Sequence, residues 1–314
     1  LVTGGLPPLT GETMAEKPRE RWGTRSAFIF AAVGSAVGLG NVWRFPMVCY
    51  RHGGGAFFIP YLVALLTAGI PLLILEYGIG QMMQGSAPAA LRKTNKHTEW
   101  VGWFALLVGT MISVYYAAIL AYSVEYLVLS VMGIFEEMTV PWAGREAAFF
   151  QEAILHVDFA AGSMWSPVPA VMAGLAVTWL LVFLIIWRGV GRIGKVVMWT
   201  VPLPVILLGI LILRGVTLPG WEEGIVYYLR PDFDALRDPS TWADAYGRIF
   251  FSLSIGFGIM IAYASYRPKD TDITNNAFIT SFANCATSFI AGFAVFSVLG
   301  FLALAFFCWL LAKK

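Results

Sequence analysis

Residues 34–46 read Gly-Ser-Ala-Val-Gly-Leu-Gly-Asn-Val-Trp-Arg-Phe-Pro and fall inside the first long apolar stretch of the chain. Glycines, an asparagine and an arginine stand where a membrane helix would otherwise be continuous. In lipid, each unpaired backbone group costs on the order of several kcal/mol, so such a break survives only where it lines a cavity or holds something. A broken helix leaves free N–H groups on one half and free carbonyls on the other. The N–H end attracts a carboxylate, and the carbonyl end binds a cation. A second break of the same kind lies at Phe250-Phe-Ser-Leu-Ser-Ile-Gly-Phe-Gly258. Between them, Asn41, the serine hydroxyls and the freed carbonyls offer the hard oxygen donors that suit sodium. An amino acid and a sodium ion could share one such cavity. The plainer reading of Gly34-x-x-x-Gly38 is a close-packed helix interface. Gly40, Asn41, Arg44 and the second break favour a binding site over it.

The elements that must position these residues are membrane spans. The 314-residue chain is 58% hydrophobic and 13% charged, about half the charge of a soluble domain. Apolar stretches run over roughly 24–50, 55–84, 99–132, 168–187, 195–214, 243–266 and 274–311, numbered here spans 1 to 7. Most reach the ~20 residues that cross a bilayer. Basic residues precede span 1 (Lys17, Arg19, Arg21, Arg25), follow span 2 (Arg92, Lys93, Lys96), separate spans 4 and 5 (Arg188, Arg192, Lys195) and follow span 6 (Arg267, Lys269). All lie on one side if the N-terminus is cytoplasmic. The opposite loops are acidic, and the terminal Lys313 and Lys314 break the rule mildly. Tryptophan-bearing loops at 133–165 and 215–242 predict short helices lying at the outer interface.

Several classes are excluded. A net charge of +2 gives no pointer to nucleic acid. Cys49, Cys285 and Cys308 lie in apolar stretches and read as packed thiols, without metal spacing or a disulfide pair. His52, His97 and His156 lack a nucleophile pattern, and the glycine runs do not follow strands, so no enzyme is expected. The first 23 residues are polar and carry no signal peptide. Met14 is a plausible start, and residues 1–13 are expected not to be native.

Trp22-Gly-Thr-Arg25, Gly34–Pro46, Gly53-Gly-Gly-Ala-Phe-Phe-Ile-Pro-Tyr61, Gly69-Ile-Pro-Leu-Leu-Ile-Leu-Glu-Tyr-Gly78, Tyr115-Tyr116 and Ile249–Tyr266 resemble the neurotransmitter:sodium symporter family, from about Arg19 to Leu311. The resemblance implies an all-α membrane protein, a LeuT-type helical bundle with discontinuous helices 1 and 6. It implies a plasma (inner) membrane transporter that binds sodium and a small molecule. One sodium would be held by the carbonyls of Ala36 and Ser252, the side chains of Asn41 and Asn284, and the hydroxyl of Ser254 or Ser252. A second would use the carbonyls of Gly34 and Val37. The substrate carboxylate would meet the amides of Leu39 and Gly40 and the hydroxyl of Tyr116. Phe251 and Phe257 would wall the pocket with Ile112 beneath, and Ser254 would help hold the amino group. Monoamine transporters of the family carry Asp where this chain has Ser35, so the substrate should bring its own carboxylate. The Ser35 hydroxyl bonding its own helix backbone is an equal alternative for that side chain. A neutral amino acid is the expected substrate.

The same resemblance makes Arg44 an outer-gate residue and Arg19, Trp22 and Tyr266 inner-gate residues. Glu76, the acidic residue inside span 2, would tie together the broken backbones of spans 1 and 6. Tyr61, Ser252, Asn284 and Ser288 fit the pattern of a chloride site, because chloride-independent bacterial relatives place a carboxylate where Ser288 stands. A neutral site beside buried sodium leaves positive charge for an anion to offset. Arg248, where the family usually has Gln, either strengthens anion binding or pairs with Asp244 one turn earlier. The pairing is the preferred reading.

The family has more spans than this chain carries. Residues 1–23 read as a cytoplasmic segment, 24–214 as the first five-helix repeat and 215–314 as the start of a second, incomplete inverted repeat. Two functions therefore compete. One is a sodium-coupled amino-acid symporter read from a truncated chain, with chloride as a candidate co-ion. The other is a non-transporting membrane fragment or assembly partner. Oligomeric state is left open.

Overall fold

The computed structural model describes residues 20–135, 141–142, 144–155 and 168–312. Arg19 and residues 1–13 fall outside these, as does the side chain of Cys308. Among the described residues the fold is all helical apart from one isolated antiparallel bridge, Gly54 to Pro231. Gly55–Met83, Lys96–Gly133, Pro169–Ile186, Val190–Gly215 and Ile273–Leu304 are each long and apolar enough to cross a membrane. Arg25–Ala36 and Leu39–Arg51 together form a further span, bent by 63°. Span 6 is two pieces, Pro239–Ser252 and Ile259–Ala264. The chain is a multi-pass membrane protein.

Both breaks have local causes. In span 1, Val37 and Gly38 leave the helix with extended backbone, ψ 102° and −176°. The Gly38 N–H then donates to Asn41 Oδ1 at 3.2 Å. Asn41 thus caps the restarted helix from within it. In span 6, Ser254, Gly256 and Gly258 take φ of 56°, 84° and 71°. Glycine adopts that region freely, whereas a serine there costs ~1–3 kcal/mol. The Gly256 N–H donates to Glu76 Oε1 at 2.7 Å, so span 2 holds the span 6 break. Among the described residues Glu76 makes no hydrogen bond to span 1. The double tie implied by the resemblance is therefore a single tie, to span 6. Span 2 also widens into a π turn at Leu65–Gly69, a form common at functional sites. It seats Gly69 against Ile249 and Leu253 of span 6.

The structure moves two sequence boundaries. Span 5 starts at Val190, not near 195, because Glu20 Oε2 accepts the Val190 N–H at 3.0 Å. A carboxylate at that helix start satisfies one of its free amides. The basic residues Arg192 and Lys195 thereby fall inside the helix. In loop 215–242 the helix Trp221–Leu229 packs into the bundle rather than lying free at an interface. Tyr228 is fully buried, stacks on Phe296 at 4.7 Å and donates to the Phe289 carbonyl at 3.1 Å. The described part of loop 133–165 does hold a short helix, Glu146–Phe149, continuing as a π turn through Ile154.

Two predictions follow from these contacts. Glu76→Ala leaves the Gly256 amide buried without an acceptor and should cost ~1–3 kcal/mol of stability, with Glu76→Gln costing less. Thermal denaturation in detergent micelles, followed by tryptophan fluorescence, measures both. A Cβ on Gly224 would run into the Phe296 carbonyl. Gly224→Ala should therefore destabilise by ~1–3 kcal/mol through overpacking of the 221–229 helix on span 7, read in the same melt.

Candidate functional site

The two breaks face each other across a cavity of about 390 Å³, the size of a small-molecule site. Span 1 contributes Gly34 through Asn41, span 6 contributes Arg248, Phe251, Ser252, Ser254, Phe257 and Ile259, and span 3 contributes Gly109, Ile112, Tyr116 and Leu120. Ser35, Leu39, Gly40, Ile112, Tyr116, Phe251, Ser254 and Phe257, the substrate residues singled out from the sequence, all line it. Phe251 and Phe257 meet edge to face at 6.0 Å. The Tyr116 hydroxyl lies 3.4 Å from where a Gly38 Cβ would sit, so it approaches the first break closely. Ser254 Oγ lies 3.5 Å from the Ser35 carbonyl, bridging the two breaks. Gly109 and Leu120 were missed by sequence reasoning. Their signal was available: 109, 112, 116 and 120 are three or four residues apart and share one helix face.

A buried polar cluster opens onto the cavity through Asn41 and Ser252. Asn41, Ser252, Asn284 and Ser288 are all buried. Asn41 Nδ2 donates to Asn284 Oδ1 and to Ser288 Oγ, each at 2.8 Å. Ser252 Oγ donates to the same Asn284 Oδ1 at 2.9 Å, and Ser288 Oγ donates to the Asn284 carbonyl at 3.3 Å. Three spans, 1, 6 and 7, thus share one hydrogen-bonded knot. Its neutral amide, hydroxyl and carbonyl oxygens are donors of the kind a hard monovalent cation accepts. Among the described residues no three His, Cys, Asp or Glu gather as a metal site. Ala36 lies beside the cluster on the cavity wall, and Gly34 and Val37 lie further along it. Gly34 abuts Val201 of span 5: a Cβ there would sit 2.5 Å from Val201 Cγ2.

Tyr61 and Arg248 adjoin this knot. The Tyr61 hydroxyl receives the Cys285 thiol at 3.5 Å and faces Ser288 and Arg248. Cys49 and Cys285 are buried free thiols. Arg248 does not pair with Asp244, which corrects the preferred sequence reading. Asp244 is taken by His52 Nε2 at 2.7 Å, while His52 Nδ1 lies 3.0 Å from Thr241 Oγ1. His52 ends the span 1 helix, and that fixed position captures the Asp244 carboxylate before Arg248 can. The guanidinium instead turns inward: Nη1 lies 3.0 Å from where a Gly40 Cβ would stand.

Of the residues expected to gate the site, Arg44, Trp22 and Tyr266 are described and Arg19 is not. Arg44 lines a second cavity of about 190 Å³ with Val48, Asp244, Gly247, Arg248 and Phe251. Arg248 and Phe251 line both cavities and so stand between them. At the other end Trp22 is buried, with Nε1 donating to the Tyr263 carbonyl at 2.9 Å and its amide to the Tyr266 carbonyl at 3.3 Å. Arg25 Nε reaches Asn276 Oδ1 at 2.9 Å.

The sequence model of the sodium:neurotransmitter symporter family matches residues 19–146 and 136–306. An uncharacterized sodium-dependent transporter of Methanocaldococcus jannaschii is 43% identical over 290 residues, which is 92% of this chain and 58% of that protein. The sodium- and chloride-dependent GABA transporter 2 of Bos taurus is 36% identical over 315 residues, 90% of this chain and 51% of its own length. The sodium-dependent serotonin transporter of Drosophila melanogaster is 37% identical over 318 residues, 93% and 50%. The chain spans about half the length of these curated relatives. With the family's motifs on the two broken spans and its model matched over nearly the whole sequence, the chain belongs to the sodium:neurotransmitter symporter family, whose members are transporters and not enzymes.

Proposed function

We propose that the protein is a sodium-coupled symporter of a neutral amino acid in the plasma (inner) membrane, with its N-terminus cytoplasmic. The observation that carries this reading is the cavity between the two breaks, backed by the buried Asn41–Ser252–Asn284–Ser288 knot. The amides of Leu39 and Gly40 and the Tyr116 hydroxyl form the end for a carboxylate. The carbonyls of Ala36 and Ser252, with Asn41, Asn284 and the hydroxyl of Ser252 or Ser254, form one sodium site. Gly34 and Val37 contribute carbonyls to a second. Phe251, Phe257 and Ile112 form the apolar side-chain pocket. Residues 24–214 form the first five-helix repeat and 215–314 belong to the second.

Overall identity does not choose the substrate: a GABA transporter and a serotonin transporter match this chain about equally. Position 35 does. GABA carries a carboxylate and serotonin does not, and Ser35 supplies no side-chain carboxylate to replace one. An amino acid supports its own charge balance in this cavity.

Chloride is the proposed co-ion, at Tyr61, Ser252, Asn284 and Ser288 with Arg248 adjoining. The support is that this set holds no carboxylate, so a sodium ion beside it lacks a fixed counter-charge. The Bos taurus GABA transporter 2 is named as chloride-dependent.

In proteoliposomes holding the whole protein, Asn41→Ala should weaken the sodium dependence of amino-acid uptake several-fold. An unchanged sodium titration contradicts the assignment. Replacing chloride by gluconate at fixed sodium should abolish uptake, and unaltered uptake sinks the chloride proposal alone.

A further inference from the structure

Arg248 is the fixed charge of the cavity wall with nothing to balance it. It is 5% exposed, and among the described residues its Nε and Nη2 meet no hydrogen-bond acceptor. The carboxylate one turn away on its own helix, Asp244, is committed to His52. The groups facing it are a second guanidinium, Arg44, and the uncharged Tyr61, Cys49 and Cys285. A buried cation without a counter-charge is strongly unfavourable and calls for an anion.

Its position says which anion. Nη1 and Nη2 lie 3.0 and 3.3 Å from the place of a Gly40 Cβ. The guanidinium therefore packs directly over the Gly40 backbone, with no room for a side chain between them, and it lines the same end of the cavity as the Leu39 and Gly40 amides. Arginine's planar fork takes a carboxylate through two parallel N–H bonds. On the Tyr61 and Ser288 side, Asn284 Nδ2 is a further buried donor without an acceptor among the described residues, so the proposed halide has a contact of its own there and the guanidinium is left to the cavity.

We infer that Arg248 is a specificity-determining residue that binds the substrate's carboxylate directly, selecting carboxylate-bearing substrates over their uncharged or amine analogues. The inference rests on the amino-acid reading and adds to it a charged anchor beside the backbone amides. A carboxylate held there is attracted by the guanidinium and by a sodium ion at Asn41, so the substrate bridges two cations that would otherwise repel.

The test is equilibrium binding to the whole protein in nanodiscs at saturating sodium, supplied mainly as gluconate with a low fixed chloride concentration. The probes are L-alanine, L-leucine and L-tryptophan, each against its own amide. Wild type should bind at least one acid and discriminate against its amide. Arg248→Gln should weaken binding of that acid by about ten- to a hundred-fold while leaving the amide unchanged. Arg248→Lys, which keeps the charge and loses the fork, should fall between. Equal acid affinity in wild type and Arg248→Gln overturns the inference, and so does an equal loss for acid and amide, the mark of a structural role. A deficit in Arg248→Gln that raised chloride restores also overturns it and assigns Arg248 to the halide. Wild-type protein that binds none of the acids in sodium overturns the amino-acid reading, and this inference with it.

Discussion

The carboxamide of Asn41 joins everything else in this bundle. Its oxygen accepts the Gly38 N–H freed by the break in span 1. Its nitrogen donates to Asn284 and Ser288 of span 7. Asn284 in turn accepts Ser252 at the end of the first half of span 6. One side chain therefore caps its own helix, fixes span 1 on span 7 and reaches the second break through a shared acceptor. Inside a low-dielectric core such a network is strong when complete and costly when any member is lost. Helix breaks in lipid are tolerated only on those terms, with each freed backbone group satisfied from within the protein. Glu76 meets the same demand at Gly256, and the two ties leave the breaks facing one space.

Within that space charge is kept apart from the neutral oxygens. The proposed cation donors are neutral oxygens, which attract sodium without the tight grip of a carboxylate cage. Fixed charge is held apart: Glu76 lies behind the span 6 turn, Asp244 is paired with His52, and Arg248 sits at the Gly40 end. Opposite charges at ~4 Å interact by about 4 kcal/mol near a protein surface.

Much of this was legible in the sequence, because the signals were local. Apolar length gave the spans, and the Gly-Asn and Ser-Gly runs gave both breaks, since few residues can leave a helix in lipid. The residues lining the cavity came from motif resemblance and met in space as their spacing implied. What was not legible depends on distant partners. The start of span 5 is set by Glu20, far away in sequence. The packing of Trp221–Leu229 depends on Gly224 and Gly300 allowing close approach to span 7. The side chain of Arg248 was assigned to Asp244 by helix spacing alone, and His52 altered that from another span. Pair rules within one helix are worth a few tenths of a kcal/mol, so a better-placed tertiary partner overrides them.

That small energy is why the Arg248 site matters beyond its own contacts. Had Asp244 neutralised the guanidinium, the cavity would carry a balanced pair and be indifferent to the charge of its occupant. With Asp244 held by His52 at the end of span 1, the lining of the cavity carries the charge of Arg248 and, among the described residues, no carboxylate. Adding sodium raises that charge, so on the proposed reading each cation increases the need for an anionic group and each anionic group eases the next cation. Binding of ion and substrate then becomes mutually favourable by linkage, without any movement of the backbone. The His52–Asp244 pair thus leaves Arg248 without the partner its own helix would offer, although neither side chain of that pair lines the cavity.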